Sequence, residues 1–205
     1  MSIYVIDEIM GRGKTSAMIN FINQSSEEKK YLFITPYLTE VDRIVQSCSG
    51  THFFEPLEEG GKLNNIKSLL AEGRNIVSTH ALFSMLDDEA LSEIQMHNYT
   101  LIVDEALDVT RKIQITQWDA DTIMDEYATI DDDGKLTWVA DDYLGKFESY
   151  KQLMDGRMAY AYSRNHWVTM IDPHVFDVFV DVYVMTYMFN GQMMRCYFDL
   201  FGKKY

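Results

Sequence analysis

The residues best suited to chemistry stand in two short runs. The first is Gly11-Arg12-Gly13-Lys14-Thr15-Ser16, which follows an apolar run at residues 3–6 and leads into a helical pattern at residues 16–23. Strand, glycine loop and helix in that order can hold a polyphosphate. Glycines let backbone N–H groups curl around the anion, and the first N–H groups of a helix have no partner within it. In such a loop Lys14 would reach the β- and γ-phosphates, and the Thr15 hydroxyl would coordinate Mg²⁺. One position departs from the full pattern: Glu8 stands six residues before the lysine, where glycine is expected. A glycine turn that joins strand to helix without a ligand is the alternative.

The second run is Leu101-Ile102-Val103-Asp104-Glu105-Ala106, an apolar stretch that ends in two carboxylates. A buried parallel strand finishes this way at a metal and water site. Asp104 would hold the Mg²⁺, and Glu105 would orient or deprotonate the attacking water. An acidic pair alone reads as a solvated strand end. Its place downstream of a glycine loop, at a separation that fits three strand–helix units, favours the metal site.

These side chains need a frame to bring them together. Apolar runs at residues 3–6, 31–35, 75–79, 100–104 and 182–187 read as core strands. Helical patterns at residues 16–23, 38–48, 63–71 and around 81–96 separate the early ones. Alternating strands and helices predict an α/β fold with a mostly parallel sheet flanked by helices. Ligands in such sheets sit at the carboxyl ends of the strands. The glycine loop, Thr35-Pro36, Thr79-His80 and Asp104-Glu105 all fall there.

From about residue 107 to 165 the rhythm stops. Residues 129–138 predict a β-hairpin turning at Asp133-Gly134, inside an acidic insertion of hairpin and helices. A calcium loop is excluded, because with Gly134 at loop position six, position one is Thr129, not a carboxylate. Between Asp119 and Glu148 there are ten acidic and two basic residues, so this segment carries more than half of the net charge of −14. These acids read as a solvated face, with a partner surface as the lesser option. The overall charge opposes non-specific binding to nucleic acid phosphates, but a local basic groove remains open to the rest of the chain.

The 205 residues fit one domain with an insertion, spanning 1–205, and 47% hydrophobic content makes it globular. No apolar run approaches the roughly 20 residues that span a bilayer. The N-terminus has no basic region or cleavage site, so a cytoplasmic protein without membrane partners is expected. Cys48 and Cys196 form no Cys-x-x-Cys pair, so no zinc site is written here.

With these residues in place, the chain resembles the first RecA-like domain of superfamily-two, DEAD/DEAH-like helicases, most of all a compact type common in phage genomes. Gly11-Arg12-Gly13-Lys14-Thr15 matches the first motif and Asp104-Glu105-Ala106 the DEAD-type box. Thr35-Pro36-Tyr37, with Glu40 and Arg43 after it, and Ser78-Thr79-His80-Ala81-Leu82-Phe83 stand where the family contacts the nucleic acid backbone. Met185-Thr186-Tyr187-Met188-Phe189 stands where the family couples nucleotide state to nucleic acid binding. The likeness covers roughly residues 1–106 and 175–200. It implies a RecA-like P-loop NTPase with ATP and Mg²⁺ as ligands, acting on DNA or RNA, most readily single-stranded.

The residues it assigns are Lys14 and Glu105 for catalysis, and Gly11, Arg12, Gly13, Lys14, Thr15 and Ser16 for the nucleotide. Thr15 and Asp104 are assigned to the metal, and Thr35, Tyr37, Thr79, His80 and Thr186 to nucleic acid contact or coupling. The family hydrolyses ATP between two RecA-like domains, so the arginine finger is expected from a second such domain or another subunit. Its loss costs about 10³–10⁵ in rate, so weak or absent hydrolysis by this chain alone is the expectation. A nucleoside kinase and a non-catalytic nucleotide-binding interaction module are the competing readings.

Overall fold

The computed structural model describes residues 1–26, 28–156 and 158–205. The chain divides into two compact units, Met1–Asp108 with Pro173–Tyr205, and Val109–Asp172. The first unit opens with β1 (Ser2–Asp7), α1 (Lys14–Asn23), β2 (Lys30–Thr35), α2 (Leu38–Ser47) and the short β3 (Phe53–Phe54). It continues with α3 (Lys62–Ala71), β4 (Asn75–Thr79), α4 (His80–Phe83), α5 (Asp88–Met96) and β5 (Tyr99–Asp104). The second unit holds β6 (Thr110–Ile113), α6 (Gln117–Glu126), β7 (Ala128–Ile130), β8 (Lys135–Trp138), α7 (Glu148–Gly156), β9 (Met158–Ser163) and β10 (His166–Met170). The chain then returns to the first unit with α8 (His174–Asp177), β11 (Asp181–Thr186), a 3₁₀ turn at Phe189–Gly191 and α9 (Met193–Leu200).

The first unit is α/β, with a six-stranded sheet in the order β1-β11-β5-β2-β4-β3. Every pairing in it is parallel. β11 comes last in sequence yet lies between β1 and β5. The strand that feeds the glycine loop is thus two strand spacings, about 10 Å, from the strand that ends in Asp104. All six residues of β5 are buried, as expected for a strand covered on both faces. Tyr31, Phe33, Val77 and Ile102 pack with Met18, Ile19 and Ile22 of α1 and with Val41 and Ile44 of α2. The alternate residues, among them Leu32, Ile34, Ile76, Leu101 and Val103, are buried on the other face.

The sheet has a strand more than the five apolar runs, because β3 is two residues long and too short to show any alternation. The helical segment expected around 81–96 is two helices. Thr79 accepts a cap bond from the N–H of Leu82 to start α4, and Asp87 accepts one from Ala90 to start α5. A second capping side chain in the middle of the pattern restarts the helix there.

The second unit is an antiparallel sheet in the order β6-β10-β9-β8-β7. β7 and β8 form a hairpin whose turn is built by Asp131: its carboxylate accepts from the N–H groups of Asp133 and Lys135. Gly134 has φ +84°, and a Cβ there would stand 2.9 Å from the Ala161 carbonyl oxygen, so glycine is required. Trp167 is fully buried in a core with Trp138, Phe147, Ile123 and Ala159. Some acids of this unit are paired locally: Asp119 with Lys146 at 2.6 Å, and Asp121 and Asp125 with Arg164. Among the described residues no helix is long and apolar enough to cross a membrane.

Candidate functional site

The glycine loop takes its shape from two left-handed residues, Gly11 at φ +77° and Gly13 at φ +81°. A Cβ at either would meet nothing within 4 Å, so the dihedral and not crowding demands glycine. Helix α1 starts without a side-chain cap, and its first backbone bond runs from Ala17 N–H to the Gly13 carbonyl at 2.8 Å. The N–H groups of Lys14, Thr15 and Ser16 therefore have no partner within the helix and suit an anion. The Lys14 ammonium donates to the Glu8 carbonyl at 2.7 Å and approaches that of Ile9 at 3.5 Å, which closes the loop on itself.

Thr15 faces the acidic strand end. Its hydroxyl donates to Asp104 Oδ1 at 3.2 Å and lies 3.5 Å from Oδ2. Asp104 is only 7% exposed. Burial pushes its pKa up to about 6; the Thr15 hydrogen bond pulls the other way, and the charges of Glu105 and Glu40 add to the rise. His80 stands behind it, with Nε2 at 3.0 Å from the Asp104 carbonyl oxygen. A carbonyl can only accept, so Nε2 carries the proton. Burial lowers the His80 pKa, which favours the neutral ring.

The next residue, Glu105, is non-glycine yet left-handed at φ +63°, and its N–H donates to the Met185 carbonyl at 2.9 Å. Such a conformation costs about 1–3 kcal/mol and persists where its surroundings hold it. Here the bond to β11 holds it, and the turn carries the carboxylate off the strand axis.

Lys14, Thr15, Asp104 and Glu105 line one cavity of about 480 Å³. Its wall comprises the loop residues Met10, Gly11, Gly13, Lys14, Thr15 and Ser16, the strand-end residues Thr35, Pro36 and Tyr37, Glu40 and Arg43 of α2, and Asp104 with Glu105. Arg43 joins the two helices across it, donating from Nη1 to Glu40 at 2.9 Å and from Nη2 to the Ser16 hydroxyl at 3.2 Å. As a single arginine in the sequence it carries little signal. Its i, i+3 spacing from Glu40, on a helix that buries Val41 and Ile44, was the clue available.

The donor set fits a hard divalent cation. Thr15 and Asp104 offer a hydroxyl and a carboxylate close enough to share one ion. Among the described residues no group of three or more His, Cys, Asp or Glu side chains is arranged to hold a metal ion by itself. A Mg²⁺ ion held there would complete its shell with water and phosphate oxygens, as that ion usually does.

The remaining sequence-assigned residues lie around this cavity or beyond it. Arg12 is exposed and outside the lining. Glu8 lines a second cavity of about 390 Å³, with Asp7, Tyr187 and Met188, and not the first. Tyr37 is 67% exposed at the mouth. Thr79 caps α4, and its hydroxyl is engaged there. Thr35 and Thr186 are fully buried, and Thr35 lines the cavity. Thr186 is tied to Gln192, whose Nε2 donates to its Oγ1 at 2.8 Å.

Comparison with known proteins adds one relative. The chain is 35% identical over 214 residues to the SPbeta prophage-derived uncharacterized protein YonV of Bacillus subtilis (strain 168). The alignment covers 98% of this chain and 52% of that protein, so the chain spans about half the length of the curated relative it matches. No family model matches the chain, and no solved structure gives a significant match.

Proposed function

We propose that the first unit is a RecA-like P-loop NTPase domain that binds ATP with Mg²⁺ and works as half of a helicase-type motor on DNA or RNA. The observation that carries this reading is the meeting of Thr15 and Asp104 at 3.2 Å, across 89 positions of sequence, on the wall of a cavity shared with Lys14 and Glu105. A glycine turn without a ligand has no reason to bring a helix-start hydroxyl onto a buried carboxylate. The origin of the relative in a prophage supports a phage-encoded protein.

In this reading the loop N–H groups cradle the phosphates, and Lys14 leaves the Glu8 and Ile9 carbonyls to pair with the β- and γ-phosphates. Thr15 and Asp104 hold the cation, whose charge when bound offsets that on the phosphate oxygens. Glu105 takes a proton from the attacking water. Arg43 adds a second cation beside Ser16, and a further arginine would come from a second RecA-like domain or another subunit. Tyr37, exposed beside the cavity, would touch a nucleic acid strand in this reading.

The test is ATP hydrolysis with and without single-stranded DNA or RNA, beside Lys14→Ala. The expected result is weak turnover that nucleic acid raises and Lys14→Ala removes. Turnover undiminished in Lys14→Ala, or failure of the wild-type chain to bind any nucleotide, overturns the reading.

A further inference from the structure

We infer that Thr35 belongs to the metal side of this site, its hydroxyl holding a water in the coordination shell of a divalent cation carried by Thr15 and Asp104. This rests on the nucleotide reading and goes beyond it, because the family resemblance assigns Thr35 to nucleic acid. Thr35 is 0% exposed, lines the cavity, and its Oγ1 has no hydrogen-bond partner. Buried hydroxyls are nearly always paired, and an unpaired one carries its full desolvation cost. An orphan on a cavity wall therefore marks where a polar partner arrives.

Strand geometry gives its direction. β2 and β5 are parallel and their ladder ends with Ile34 opposite Val103, so Thr35 and Asp104 are the residues that directly follow its last rung. Phe33 and Ile102 both pack against α1 and α2, and side chains two apart share a face. Thr35 and Asp104 thus stand side by side on the face that α1 covers. Thr79 lies opposite Thr35 on β4, but its hydroxyl accepts from Leu82, and Asp104 already accepts from Thr15. The Thr35 hydroxyl is the strand-end group left over.

A neutral hydroxyl adds no charge to a wall that already carries Asp104 and Glu105. It can accept from one bound water and donate to a phosphate oxygen. Mg²⁺ keeps several waters when a protein holds it through one carboxylate, and outer-shell bonds of this kind orient them.

The test compares Thr35→Val, which keeps the shape and removes the hydroxyl, with Thr35→Ser, which restores it. Unliganded melting temperature and ATP affinity are measured on the full chain, with MgCl₂ and with EDTA. The expected result for Thr35→Val is a melting temperature equal to or above wild type, about tenfold weaker ATP binding in Mg²⁺, and unchanged binding in EDTA. Thr35→Ser should bind as wild type does. Wild-type Mg²⁺ dependence in Thr35→Val overturns the Thr35 assignment and leaves the phosphate site standing. A lowered melting temperature with equal loss in Mg²⁺ and EDTA also overturns it, in favour of packing. A wild-type chain that binds no nucleotide overturns the phosphate site itself.

Discussion

Asp104 carries a charge that its surroundings oppose. Its pKa of about 6 lies above that of an unfolded aspartate, so between those values the folded chain binds the proton more tightly. Stability therefore falls as pH rises through that window and stays lower above it. Asp104→Asn should melt higher than wild type at pH 7.5, by roughly 2 kcal/mol of stability, and match it below about pH 4. The same variant should lose Mg²⁺-dependent ATP binding. Melting curves at the two pH values, with calorimetric titration at the higher, check both halves; an Asn variant no more stable at pH 7.5 contradicts the first. Glu105 stores strain of another kind, in its left-handed backbone at φ +63°. Glu105→Gly should raise stability by about 1 kcal/mol and abolish turnover. Glu105→Gln keeps the turn's strain and the side chain's length, so it should bind ATP normally and still fail to hydrolyse it. Retained hydrolysis in Glu105→Gln, read from phosphate release, rules out a base at that position.

Helix α2 shows how one element serves both packing and the site. Val41 and Ile44 are fully buried against the sheet, while Glu40 and Arg43, on the adjoining stripe, line the cavity. The Arg43–Glu40 pair is partly exposed, and such pairs contribute about 0–1 kcal/mol to folding. Arg43→Ala should therefore barely move the melting temperature but weaken ATP binding about tenfold, the worth of a charge-assisted hydrogen bond. Arg43→Lys should recover part of it. Equal ATP affinity in wild type and Arg43→Ala, measured by titration, would make Arg43 a spectator on the wall. Arg43 also marks where the sequence stops informing. The glycine loop and Asp104-Glu105 can be read because an apolar run precedes each; β5 is buried throughout, whereas β1, at the sheet edge, is only partly buried. β9 could not be read: its inward residues Ala159 and Ala161 are too small to print an alternation, and it joins β10 through Arg164-Asn165, which has no glycine or proline. The strand order, with β11 between β1 and β5, depends on long-range pairing that no local pattern carries.

At the scale of the molecule, the two units divide the residues cleanly. Gly11, Gly13, Lys14, Thr15, Ser16, Thr35, Arg43, Asp104 and Glu105 all belong to the first unit. The second has its own sheet and its own core around Trp167. Its two ends are also neighbours, since the Ile171 N–H donates to the Val109 carbonyl at 3.0 Å. A glycine-serine linker of about four residues can span that distance. Replacing residues 109–172 with such a linker should leave a folded first unit whose circular dichroism is enriched in helix and parallel sheet. It should bind Mg²⁺ and ATP with the affinity of the full chain and lose that binding on Lys14→Ala. If the shortened protein folds but binds no nucleotide, the site cannot be complete within the first unit. If it binds normally but nucleic acid no longer stimulates hydrolysis, the second unit carries the contact with the track.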